Sequence, residues 1–184
     1  MRYLWLVCCF VLLSLSLSLP AHADETKRAR ELGAEGLSLY NEGAWTAAYE
    51  KLAEANSIHS APTLLLYMAR CQRNRQKLVE ARTLYAKLVD QKLPESAPAQ
   101  FAEAQAAAGR EMDALDLRIP SLIVVVRGAG AEGASVTANG QKLADPAKPT
   151  PLNPGKYDII VSAPGAMDVN KFVEFIASVG NLVV

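Results

Sequence analysis

The order of apolar and polar residues along the chain changes period once, near residue 118. From Glu25 to Leu117 apolar side chains return every three or four residues among Ala, Glu, Lys and Arg, which predicts amphipathic helices. From Ile119 onward short runs of Val and Ile alternate with polar residues between Gly and Pro, which predicts strands and turns. "RIPSL" at 118–122 is the joint, because Pro120 disfavours helix at the residue before it. Two domains follow, a helical one over 24–118 and a β one over 119–184.

Ahead of both stands "MRYLWLVCCFVLLSLSLSLPAHA". Arg2 supplies a short positive start, Leu4 to Leu19 an apolar run, and Ala21-His22-Ala23 a small-x-small cleavage motif. This is the anatomy of a secretory leader, so residues 1–23 are expected to be a signal peptide and the mature chain to begin near Asp24. Contact with a membrane is then expected only through that segment before cleavage. The alternative is an uncleaved anchor, but the run is short for a span and Pro20 interrupts it. Cys8 and Cys9 lie inside the apolar run, upstream of the cleavage point, and are not read as a lipid-attachment site.

Of 19 basic residues only Arg2 leaves with the leader, so 18 stand against 19 acidic ones. That balance supplies no electrostatic reason to expect nucleic acid. One cysteine, Cys71, and one histidine, His59, remain. A single cysteine forms no internal disulfide, so the cores must hold by packing.

The helical half repeats itself. "AEGLSLYNEGAWTAAYEKLAEA" (34–55) aligns with "YMARCQRNRQKLVEARTLYAKL" (67–88) at an offset of 33 residues. Gly36 then faces Ala69, Trp45 faces Leu78, Ala48 faces Ala81, Leu52 faces Tyr85 and Ala55 faces Leu88. Small residues at 36/69 and 48/81 suit places where two helices of one unit approach closely. A fixed period of this length marks stacked helical pairs. A further amphipathic stretch at 96–117 is expected to close the exposed end, which makes about five helices in all.

Over roughly residues 27–95 this pattern resembles the tetratricopeptide repeat. It has the small residue early in the first helix, Gly43 at the turn, Ala48 and Ala81 in the second helix, and Pro62 and Pro94 near the unit ends. It departs in carrying Gln76 where the second turn glycine belongs, and in a pitch one residue short. The resemblance implies a groove lined by the first helix of each pair, which takes an extended peptide or a partner helix. Carried over by register, the groove positions are Arg30, Tyr40 and Asn41 from the first unit, and Leu66, Arg70, Arg73 and Asn74 from the second. Guanidinium forks match carboxylates, so the expected partner is a protein or peptide, acidic or presenting its C-terminal carboxylate. The bland alternative is that Arg70 and Arg73 are the wet side of an amphipathic helix.

In the β half, Gly128, Gly130 and Gly133 spell G-x-G-x-x-G behind "LIVVV", a candidate strand. A dinucleotide turn needs a helix next, whose free N–H groups receive the phosphate. Instead "ASVTANGQKL" follows, with β-branched Val136 and Thr137 and the hairpin pair Asn139-Gly140. The glycines are therefore read as an inter-strand loop, and no cofactor is expected. Pro154-Gly155 and Pro164-Gly165 bracket a strand from Tyr157 to Ser162, and further strands are expected near 170–175 and 181–184. Six or seven short strands of this kind describe a small antiparallel β-sandwich.

"LIVVV…ASVTANGQKL…TPLNPGKYDIIVSAPG" resembles the PEGA-type and carboxypeptidase-regulatory-like β-domains, although Ala163-Pro164-Gly165-Ala166 stands where the Pro-Glu-Gly-Ala tetrad would. Helical repeats followed by such a domain look like exported proteins of myxobacteria and related Gram-negative bacteria. The resemblance implies the periplasm or cell envelope and supplies no catalytic residues.

No catalytic or metal-binding set emerges. His59 in "NSIHSAP" is read as a solvent-facing loop residue, with a base or ligand as the alternative. Cys71 is read as a buried apolar residue, with a reactive thiol as the alternative. Glu50 and Glu54 share a solvated helix face. The expectation is an α+β chain in two domains, a solenoid of tetratricopeptide type followed by a β-sandwich, acting as a non-enzymatic exported adaptor. The alternative function is a structural envelope component whose β-domain contacts peptidoglycan or glycan.

Overall fold

The computed structural model describes residues 20–128, 131–176 and 181–183. Among the described residues five helices precede the strands: α1 (Pro20–Asn41), α2 (Trp45–Ile58), α3 (Pro62–Asn74), α4 (Leu78–Val89) and α5 (Ala99–Asp116). Seven strands follow: β1 (Ser121–Ile123), β2 (Ser135–Ala138), β3 (Gln141–Lys142), β4 (Thr150–Pro151), β5 (Gly155–Ser162), β6 (Val169–Phe175) and β7 (Asn181–Val183). Residues 1–19 of the expected leader, and Gly130, lie outside the described residues.

The helical core is built from stripes at helical spacing. Ala48, Leu52 and Ala55 on α2, Leu78, Ala81, Tyr85 and Leu88 on α4, and Ala104, Ala108 and Leu115 on α5 are all buried. Each helix packs on the next, and α1 also meets α3 as α3 meets α5. The odd-numbered helices therefore form one layer, with α2 and α4 behind it. Gly36 explains how α1 and α2 come so close: a Cβ there would sit 2.7 Å from Leu52 Cγ.

The 33-residue offset returns as geometry. Gly43 N–H donates to the Tyr40 carbonyl and Ala44 N–H to that of Leu39, at 3.1 and 2.9 Å. One unit later Gln76 donates to Arg73 and Lys77 to Gln72, at 3.0 and 2.9 Å. Both pairs form the Schellman closure, which requires a left-handed residue after the helix. Gly43 takes it at φ 80° and Gln76 at φ 61°. The missing glycine changes the strain of the second turn and leaves its shape alone.

The strands form two sheets, β4-β1-β7 and β3-β2-β5-β6. They share one apolar core of Leu122, Val124, Val136, Ala138, Leu143, Ile159 and Phe175. Strand β2 follows Gly133, and Asn139 and Gly140 turn it into β3 at φ 49° and 78°. Two expectations need correcting. The pattern is not wholly antiparallel, since β1 and β7 run parallel. "LIVVV" also does not continue as a strand past Ile123, because the Val124 N–H turns to the Pro146 carbonyl at 2.7 Å.

The two cores are separate, and Ile119 packs on the helical one. Between them Asn153 reaches across. Its Oδ1 accepts the Val79 N–H at 2.9 Å, and its Nδ2 donates to Glu80 Oε2 at 2.7 Å. Helix α4 begins after Lys77, whose side chain caps nothing, so the β half supplies the cap that the helix lacks.

Candidate functional site

The exposed side of the odd-numbered helices has two ends, and they differ. At one end α3 presents Arg70 and Arg73, one turn apart, toward α5. There Glu111 lies on the same stripe as Ala104, Ala108 and Leu115, so the helix places a carboxylate where its neighbours are apolar. Arg70 Nε donates to both Glu111 oxygens at 3.0 and 3.2 Å, and Arg73 Nη1 donates to Oε2 at 2.9 Å. Tyr85 on α4 adds its hydroxyl at 2.8 Å. The Arg70 guanidinium also lies 5.0 Å from the Tyr67 ring centre, and that ring meets Tyr40 edge-on at 5.2 Å.

The charges agree with that geometry. Burial by itself would raise the Glu111 pKa, but hydrogen bonds from Arg70 and Tyr85 and two guanidinium charges outweigh it and hold the carboxyl below its ordinary value. The bond to Glu111 pushes Arg70 up, and burial, followed by the same carboxylate, pushes Tyr85 up. Arg70 and Arg73 are thus a carboxylate clamp whose carboxylate belongs to the chain itself.

The other end is open. A cleft of about 470 Å³ lies between α1, the α2–α3 connection, α3 and the start of α5. Ala29, Gly33 and Leu37 from α1, Leu64 from α3 and Phe101 from α5 give it an apolar lining, and Arg30 and His59 stand at its edge. Gly33 brings the backbone of α1 down onto Leu64, where a Cβ would come within 3.3 Å. Thr63, Leu64, Gln100 and Phe101 belong to the first turns of α3 and α5. Those helices start after Ala61 and Pro98, neither of which caps through its side chain, and the positive ends of their dipoles lie beside Arg30, with the Phe101 N–H bonded to the Pro98 carbonyl at 2.9 Å.

The seven expected groove residues therefore do not form one site. Arg30 belongs to the open end, and ten residues along α1, about 15 Å by helical rise, Tyr40 belongs to the closed one. Leu66 is a core residue, 6% exposed, because α3 is covered on several sides and its apolar positions are spent inward. Asn41 and Asn74 sit at the last positions of α1 and α3, beside the two Schellman turns. Glu111 was missed. Its signal was available: a carboxylate on an otherwise apolar stripe requires a cation partner. Gly33, Leu64 and Phe101 were missed as cleft lining, since only the packing of three separate helices brings them together.

His59 is exposed and stands at the cleft edge. Cys71 is fully buried, and burial pushes its thiol up to about 11, far from a reactive thiolate at neutral pH. Among the described residues no three His, Cys, Asp or Glu side chains come together as a metal set. A second cleft, of about 500 Å³, lies where the halves meet, with Tyr157, Asn153, Glu80, Lys142 and an Asp145–Lys148 ion pair at 3.0 Å around it. No protein-family model, no curated protein and no solved structure matches the chain.

Proposed function

We propose that this is a non-enzymatic exported adaptor of the cell envelope, in which a short array of tetratricopeptide type binds an extended peptide partner. On this reading the peptide enters the open cleft, lays an apolar side chain on Gly33, Leu64 and Phe101, and sets its terminal carboxylate against Arg30. The β half, a sandwich of PEGA type, holds the array in place and offers a second contact. The observation that carries the reading is the asymmetry of the layer. One end has its carboxylate built in as Glu111, and the other keeps an apolar pocket beside a guanidinium and the N-terminal ends of two helices.

The test is a display library of peptides with free C-termini, followed by anisotropy titration of the selected sequences. Arg30→Glu should weaken the best ligands at least about tenfold, the scale of one lost charge-assisted hydrogen bond. Amidating the peptide terminus should have a similar effect. Selected ligands that bind Arg30→Glu and wild type equally would remove the proposal. The second reading, glycan contact by the β half, is favoured by Tyr157 among amide and charged groups in the junction cleft. Peptidoglycan fragments that bind and are lost on Tyr157→Ala would support it.

A further inference from the structure

Strand β6 is the outer strand of the four-stranded sheet, bonded to β5 and to no other described strand. The direction of its free backbone groups follows from the ladder. On β5, Asp158 accepts the Asn139 N–H at 2.9 Å, and its own N–H donates to the Asn139 side chain at 2.8 Å. The peptide groups of Asp158 therefore point toward β2. Alternation along a strand then gives Ile159 and Val161 to β6, and leaves Phe172, opposite Asp158, with its N–H and C=O aimed at the outer edge. Asn170 and Glu174 share that direction. The same edge carries Phe172 at 82% exposure, with Met167 and Ile176 also exposed nearby, and neither proline nor bulge blunts it.

We propose that β6 of a second copy of the chain covers this edge, antiparallel about a two-fold axis through Phe172, so that two four-stranded sheets become one of eight strands. A two-fold pairing keeps each sheet face on its own side, so facing residues must have the same parity. Placing Phe172 against its counterpart makes an aromatic pair and sets Asn170 opposite Glu174 twice, amide donor against carboxylate, with no like charges meeting. Moving the centre of symmetry to Lys171 opposes two ammonium groups. Moving it to Val173 puts Phe172 opposite Glu174. Among these centres, charge and ring complementarity favour Phe172, and they favour it for this strand against itself. One seven-residue strand pair covers less than the roughly 1,600 Å² of a standard interface, so the dimer dissociates on dilution.

Sedimentation velocity on the purified protein from micromolar to millimolar concentration tests this. A reversible monomer–dimer equilibrium is expected. Phe172→Lys, which opposes two ammonium groups at the axis, should weaken association more than tenfold. Phe172→Pro removes only an outward N–H, so it should abolish the dimer and leave the β5–β6 ladder and the circular dichroism intact. Phe172→Cys should yield a disulfide-linked dimer under mild oxidation, whereas Lys156→Cys should not. A protein that stays monomeric throughout, or a dimer untouched by Phe172→Lys, overturns the proposal.

Discussion

Glu111 ties three helices together. It receives two guanidinium groups and a phenol while only about a fifth exposed, 20% by side chain. Removing it strands Arg70 and Arg73, so Glu111→Ala should cost about 2–3 kcal/mol of unfolding free energy, measurable by urea titration. Because the folded carboxyl lies below its ordinary value of 4.5, its contribution is complete above that pH. It fades as pH falls through the lower folded value. Acid unfolding of wild type should therefore steepen below about pH 4.5, and Glu111→Gln should flatten that limb. Gln76 is a smaller liability. Its φ of 61° suits glycine, and Gln76→Gly should raise stability by about 1 kcal/mol in the same titration. The glycine missing from the second turn was legible in the sequence; that Gln76 would accept the left-handed geometry was not, because only the flanking helices enforce it.

Helices were more legible than strands. The stripes Ala48/Leu52/Ala55 and Leu78/Ala81/Tyr85/Leu88 follow directly from period, whereas the matching Schellman bonds at the two turns emerge only in the structure. Gly36 was expected to mark a close approach, and the approach is to Leu52 itself. Gly36→Ala should push α1 and α2 apart and lower stability by about 1–2 kcal/mol despite the better helix propensity of alanine. The parallel pairing of β1 with β7 was illegible, since two three-residue strands some sixty positions apart carry no pattern that sets their direction. The cap on α4 was hidden for a similar reason. Asn153 lies 74 residues beyond Val79, in a loop whose local sequence speaks only of a turn. Asn153→Ala should cost about 1 kcal/mol and raise hydrogen exchange at Val79 and Glu80 selectively.

Across the molecule, two cores are joined by one short segment with Asn153 bonded across the junction, and each half leaves a different surface open. The helical half closes one end of its layer with its own carboxylate and exposes an apolar cleft at the other. The proposed role of this cleft is to receive a peptide terminus. The most direct measurement is a backbone-amide NMR titration of the full protein with a selected free-acid peptide and its amidated twin. Shift changes are expected to concentrate at Gly33, Leu64 and Phe101 and to be much reduced with the amide. Changes gathered instead at Asn153 and Tyr157, or equal responses to both peptides, would contradict that role.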